Sequence, residues 1–177
     1  DFCLLDPDGE YVGFVSHKDA GGASAFQQYG GISKQSALEH REIEQFVEDL
    51  SDYADQYGVY KGFAVYRPVE DPKLINQAVY GPAYGRAFSI ENCHCIGQGD
   101  PILKEEQPGV YEMMFADALH INGDVSWAYK GGYQAIFLAT KRNGRRVKTP
   151  DGQQVRDVRA GIYPYAVAHG RRELTQI

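Results

Sequence analysis

The first apolar positions fall in two short runs, Phe2 to Leu5 and Tyr11 to Val15, separated by Asp6-Pro7-Asp8-Gly9. Proline presets the first turn dihedral and glycine supplies a positive one, so this stretch predicts a β-hairpin. A Gly-rich connection from Ala20 to Gly31 follows, and then the period lengthens. Leu38, Ile43, Phe46, Val47, Leu50 and Tyr53 recur at helical spacing. They predict one long amphipathic helix within Ile32 to Tyr57, capped by Ser33 or Ser36 and stopped at Gly58. The opposite face of that helix is acidic, with Glu39, Glu42, Glu44, Glu48, Asp49, Asp52 and Asp55.

Beyond Gly58 the apolar runs shorten to strand length. Gly62 to Tyr66 reads as a strand, and Asp71-Pro72 opens a short turn or helix through Ile75 to Val79. Tyr80 to Gly85 reads as a loop, Arg86 to Ile90 as a strand, and Gly97 to Pro101 as another loop. Val110 to Leu119 is apolar enough to be a core element of either type. Asp124 to Tyr129 and Gly132 to Thr140 read as strands. A basic hairpin follows, Arg145 to Lys148 and Gln154 to Arg156 about a turn at Thr149-Pro150-Asp151-Gly152. Ala160 to Tyr165 closes the pattern. The expectation is a single domain over residues 1–177, of α+β or α/β class, with a mixed, largely antiparallel sheet and one long helix.

Composition adds limits. With 43% hydrophobic and 24% charged residues in 177, the chain has the balance of one folded domain rather than a fibrous or disordered one. The absence of a membrane-length apolar run and of a signal-like start predicts a cytoplasmic protein without membrane contact. Cys3, Cys93 and Cys95 make an odd count without disulfide-framework spacing, which fits a reducing compartment. Cys93-His94-Cys95 carries zinc-ligand types, but no second pair follows at the spacing a structural site needs.

The net charge of −6 argues against an indiscriminate polyanion binder, yet it is unevenly spread. From residue 141 onward nine basic residues stand against three acidic ones. A basic arm on an acidic body suits phosphate contact.

The candidate chemistry sits in the first hairpin. Counting back from the turn sets Asp1 near Phe14 or Val15, and strand alternation puts Ser16 and Lys18 on one face. An acid, a small polar residue and a lysine therefore meet at one strand end. This layout resembles the core of the PD-(D/E)XK nucleases, the restriction-endonuclease-like superfamily, whose hairpin carries an Asp, a loop and then an acid-x-Lys. The matching positions are Asp1, Ser16 and Lys18, with Ser where the second acid normally stands. Some restriction enzymes of this superfamily look similar in carrying Ser-x-Lys there and in drawing the missing carboxylate from a neighbouring helix. That makes Glu39 or Glu42 the replacement here.

The resemblance implies a restriction-endonuclease-like core and a nuclease that hydrolyses phosphodiester bonds. Mg²⁺ would be held by Asp1 and by Glu39 or Glu42, with Asp19 or the His17 carbonyl completing the coordination. Lys18 would orient the attacking water or offset transition-state charge. Gln27, Gln28, Lys141, Arg142, Arg145, Arg146 and Lys148 would contact the nucleic acid, DNA ahead of RNA, the basic residues chiefly at phosphates. A homo-oligomer is compatible with this reading. The rival from another class is a non-catalytic structural or interaction subunit of a larger assembly such as a virus particle, suggested by the high Gly and Tyr content and the many short strands.

Overall fold

The computed structural model describes residues 1–18, 32, 40–81, 93–121, 125, 134–142, 146–155, 157–165 and 172–177. They form a mixed α+β structure, mostly sheet, with two helices. The chain divides into two compact units, Asp1–Gln27 with Asn76–Lys130, and Gln28–Ile75 with Gly131–Ile177. No helix among the described residues is long and apolar enough to cross a membrane.

The first unit is built on the opening hairpin. Strands β1 (Phe2–Leu5) and β2 (Tyr11–Lys18) pair antiparallel, with Phe2 opposite Val15 and Cys3 opposite Phe14. Their turn forms as the sequence predicts. Gly9 takes a φ of 85°, and the Asp6 carboxylate accepts the Asp8 and Glu10 amides at 3.0 and 2.9 Å, an Asx-type closure. Strand β4 (Cys95–Gln98) lies parallel to β2, and β7 (Ala118–Ile121) runs antiparallel on its far side, giving the order β1-β2-β4-β7. Between them in sequence, β5 (Pro101–Gln107) and β6 (Val110–Phe115) make a separate, largely exposed hairpin. One face of the sheet is closed by Val15, Cys95 and Phe115, with Phe2 and Met113 packed on them.

The second unit holds the sheet β11-β8-β3-β12, made of β3 (Ala64–Pro68), β8 (Ala135–Lys141), β11 (Val158–Pro164) and β12 (Thr175–Gln176). Strand β8 is central and buried over six of its seven residues, which is why it reads as a continuous apolar run rather than an alternating one. Ile136 and Leu138 pack with Tyr66, Tyr163, Tyr165 and Leu174 on one face, and alternation turns Phe137 to the other, where it stacks on Phe46 at 5.0 Å. Phe46 belongs to α1 (Arg41–Tyr57), whose apolar stripe of Ile43, Phe46, Val47 and Leu50 is fully buried. The basic hairpin appears as β9 (Val147–Lys148) and β10 (Gln154–Val155), turned at Gly152 with φ 89°.

Several expectations shift. Helix α1 starts at Arg41 after an extended His40 that makes no side-chain cap; the expected caps Ser33 and Ser36 lie outside the described residues. A second helix, α2 (Pro72–Tyr80), stands where a short turn or helix was expected, with Pro at its first position and the Asp71 carboxylate accepting the Lys73 amide at 2.8 Å. The expected loop at Gly97 to Pro101 is strand as far as Gln98. The apolar segment at Val110 splits into β6 and β7, and β5 had no expectation at all. The strands expected at Arg86 to Ile90 and Asp124 to Tyr129 lie outside the described residues, Val125 excepted.

Gly97 sits inside β4 for a packing reason. A Cβ there would come within 2.2 Å of the Phe115 ring, so the ring lies directly on the glycine backbone. Gly97→Ala should therefore lower stability by roughly 1–3 kcal/mol through overpacking. Urea unfolding followed by circular dichroism checks this, and an unchanged midpoint would mean that Phe115 moves aside at no cost.

Candidate active site

The hairpin register brings Asp1 against Ser16. The Asp1 Oδ1 atom accepts the Ser16 hydroxyl at 2.9 Å and the His17 main-chain amide at 3.1 Å. A charged acceptor strengthens both bonds, so the carboxylate is held at the strand end rather than waving in solvent. Its Oδ2 atom carries no hydrogen bond among the described residues and is exposed.

Lys18 follows two residues after Ser16 on the same face and is half-buried at the end of β2. Burial pushes the Lys18 ammonium below its ordinary range, while the nearby Cys93 thiol opposes the shift. The amine can therefore exchange a proton more readily than a surface lysine, and an anionic ligand beside it would push the value back up. The Lys18 carbonyl accepts the Gly99 amide at 3.0 Å, tying the end of β2 to the turn after β4.

Asp1, Ser16 and Lys18 thus lie together at one edge of one sheet. Asp1 immediately precedes β1, and Lys18 and Gln98 end the parallel strands β2 and β4, so the three lie at the carboxyl end of that parallel pair. In open sheets this is where ligands settle.

The other expected site residues are placed differently. Glu42 lies in the first turn of α1 in the second unit, where Oε1 accepts the Glu70 amide at 2.6 Å and Oε2 accepts the Asp71 amide at 3.0 Å. Both oxygens serve the backbone just ahead of α2. Glu39, Asp19, Gln27, Gln28 and Arg145 lie outside the described residues. Among the described residues no group of three or more His, Cys, Asp or Glu side chains forms a metal cluster.

Of the basic residues, Arg146 and Lys148 flank buried Val147 and point outward from the hairpin of β9 and β10. Arg146 also bonds Gln154 at 3.0 Å. Lys141 and Arg142 are exposed at the end of β8, the former 3.4 Å from the Val59 carbonyl.

The Cys93-His94-Cys95 trio is structural. His94 Nδ1 accepts the Phe14 amide at 3.0 Å, Cys93 Sγ donates to the Tyr80 carbonyl at 3.3 Å, and Cys95 belongs to the buried cluster. Burial, reinforced by Cys95, pushes the Cys93 thiol up to about 11, the opposite of what a nucleophilic cysteine needs.

Sequence reasoning missed the parallel strand β4 and, with it, the Gly99 turn that holds Lys18. Gly97-Gln98-Gly99-Asp100-Pro101 has the composition of a loop, and only the alternation of Cys95 and Gly97 on the Phe115 side could have signalled a strand.

Known proteins include a relative of this chain. The chain is similar to a type II restriction enzyme. That enzyme, CviJI of Paramecium bursaria Chlorella virus IL3A, is 28% identical over 174 residues, covering 93% of this chain and 47% of the enzyme. The chain therefore spans about half the length of the curated relative it matches. No family model matches it, and no solved structure does.

The thiol chemistry gives a direct check. At pH 8–9 an alkylating reagent should modify exposed Cys3 well before Cys93, and the Cys93 rate should keep rising until the pH passes about 11, since only the thiolate reacts. Mass-spectrometric mapping of labelling against pH reads this out. Rapid labelling of Cys93 at pH 8 would contradict the buried environment.

Proposed function

We propose that the chain is a Mg²⁺-dependent endonuclease acting on DNA, with Asp1, Ser16 and Lys18 at its reaction centre. The observation that carries the reading is the Asp1 carboxylate fastened to Ser16 and to the His17 amide, one residue from Lys18. The similarity to a type II restriction enzyme supports the substrate class.

The donor set fits a hard cation. Asp1 offers a carboxylate oxygen, Oδ2, that no protein group occupies among the described residues, and Mg²⁺ is commonly held by one or two carboxylates, several waters and substrate phosphate oxygens. When bound, the ion would lower the pKa of a coordinated water and polarise the phosphoryl group. The Ser16 hydroxyl and the His17 amide, both donating to Oδ1, hold the carboxylate and leave Oδ2 to a ligand. In the place of the second acid Ser16 supplies a neutral oxygen, so the site carries one negative charge fewer than an acid-x-Lys site.

Glu42 is a poor second ligand on this reading, because both of its oxygens accept main-chain amides.

Lys18 is the cation of the site. As an ammonium it offsets charge that builds on the phosphoryl oxygens, and its depressed pKa lets it hold or release a proton next to the attacking water. The exposed Arg146, Lys148, Lys141 and Arg142 serve as phosphate contacts that set affinity without reading sequence.

Two experiments test the proposal. Duplex DNA incubated with the chain and Mg²⁺ should be cut, the cutting should stop with a chelator, and Lys18→Ala should lose cleavage by a factor of about 10² or more while binding DNA nearly as well as the unaltered chain. Retained cleavage in Lys18→Ala would falsify the assignment. Separately, replacing both Arg146 and Lys148 by Ala should weaken binding similarly for all sequences and reduce the slope of log K against log salt by about 1.8. An unchanged slope removes the basic hairpin from the DNA-contact surface.

A further inference from the structure

We infer that His17 is a positioning residue: it clamps the Asp1 side of the site to the Lys18 side through the Gly99 turn. This inference rests on the nuclease reading above and adds to it a residue that the motif leaves blank.

His17 is bonded in two directions. Its main-chain amide donates to Asp1 Oδ1 at 3.1 Å, on the β1 side. Its ring Nε2 lies 2.8 Å from the Gly99 carbonyl oxygen, on the β4 side. A carbonyl oxygen only accepts, so Nε2 carries the proton and the ring tautomer follows. Gly99 in turn donates its amide to the carbonyl of Lys18 at 3.0 Å. Residue 17 thus reaches both neighbours of its strand, and the bond returning from Gly99 lands on residue 18.

Packing alone does not call for an imidazole here. The ring clusters with Phe2 and Phe115, with centroids 6.4 and 6.1 Å away, an aromatic contact that a phenyl ring would also make. What a phenyl ring lacks is the donor for Gly99. The φ of Gly99 is +77°, and a Cβ would come within 2.9 Å of the Asp117 carboxylate, so the position accepts no side chain.

Alternation turns the His17 ring to the sheet face opposite Lys18, so it does not reach substrate. Its effect passes through the backbone. With the ring bond gone, the Gly99 amide still reaches the Lys18 carbonyl and the Asp117 and Ala116 amides still reach the Gln98 and Asp100 carbonyls, but the His17 side chain no longer ties β2 to the turn, and the separation of Asp1 and Lys18 is less well fixed. A displacement of about 1 Å in such a group costs up to about 10² in rate. Affinity for DNA, set by phosphate contacts elsewhere, should not change.

The test compares the unaltered chain with His17→Phe, which keeps the aromatic packing, and His17→Gln, whose amide nitrogen restores a donor at similar reach. Single-turnover cleavage of duplex DNA with Mg²⁺, equilibrium binding in chelator, thermal unfolding and Gly99 amide hydrogen exchange are measured for each. His17→Phe should cleave about ten- to a hundredfold more slowly with binding and melting temperature nearly unchanged, and its Gly99 amide should exchange faster. His17→Gln should recover most of the rate. Cleavage by His17→Phe within about twofold of the unaltered chain overturns the inference, as does an equal loss in both variants that tracks a lowered melting temperature. An unaltered chain that leaves DNA intact would sink the nuclease reading instead. In that case Gly99 exchange still decides the clamp: faster exchange in His17→Phe supports it, and unchanged exchange overturns it.

Discussion

The candidate site of the first unit depends on one carboxylate. Asp1 stands at the start of β1, yet its Oδ1 atom is bound by two donors from β2, the Ser16 hydroxyl and the His17 amide. A terminal strand residue is free to fray, and its partners at a sheet edge are exposed to water. A charged acceptor shared by two donors resists that, since bonds to an ionised group are shorter and stronger than neutral ones. The register of the hairpin delivers the carboxylate to this position. Phe2 opposite Val15 leaves Asp1 beside Ser16, and the apolar pair beneath it, with Phe115, keeps the register from slipping.

From that anchor the unit extends by strand pairing. Strand β4 joins β2 in parallel, so the carboxyl ends of both strands arrive at the same edge as Asp1. Parallel pairing demands a long crossover, and the sequence between Lys18 and Cys95 supplies it by passing through the second unit. The acid, the hydroxyl and the lysine then share an edge whose opposite face is shut by Val15, Cys95 and Phe115. Lys18 is half-buried at that strand end, which disfavours its ammonium form.

The second unit follows a different logic. Its central strand β8 is covered on both faces, by Phe46 and its helix on one side and by the tyrosines and Leu174 on the other. Polar side chains here mostly secure local geometry. Glu42 holds the Glu70 and Asp71 amides before α2, Asp71 caps that helix, and Asp49 on α1 pairs with Arg67 on β3. Carboxylates that look alike in the sequence of an acidic helix face therefore divide into solvated ones and ones engaged with the backbone, a distinction that burial and hydrogen bonding make.

Much of the local structure was legible in the chain itself. Asp6-Pro7-Asp8-Gly9 and Thr149-Pro150-Asp151-Gly152 specify their turns because proline and positive-φ glycine restrict the backbone without help from distant residues. Ile43, Phe46, Val47 and Leu50 specify a buried helical stripe because their period is that of the helix. The approach of Asp1 to Ser16 was legible to about one residue: counting back from the turn set Asp1 near Phe14 or Val15, and the register shift between Leu4 and Leu5 brings it to Ser16 itself. What the tertiary structure decided was everything that depends on residues far apart in sequence. Gly97 and Gln98 become strand only because Phe115 packs on that glycine and β2 offers an open edge, and Glu42 turns to the backbone only because the residues before α2 come to rest against it. Gly99 meets His17 and Lys18 across some 80 residues, and no local propensity encodes such a contact.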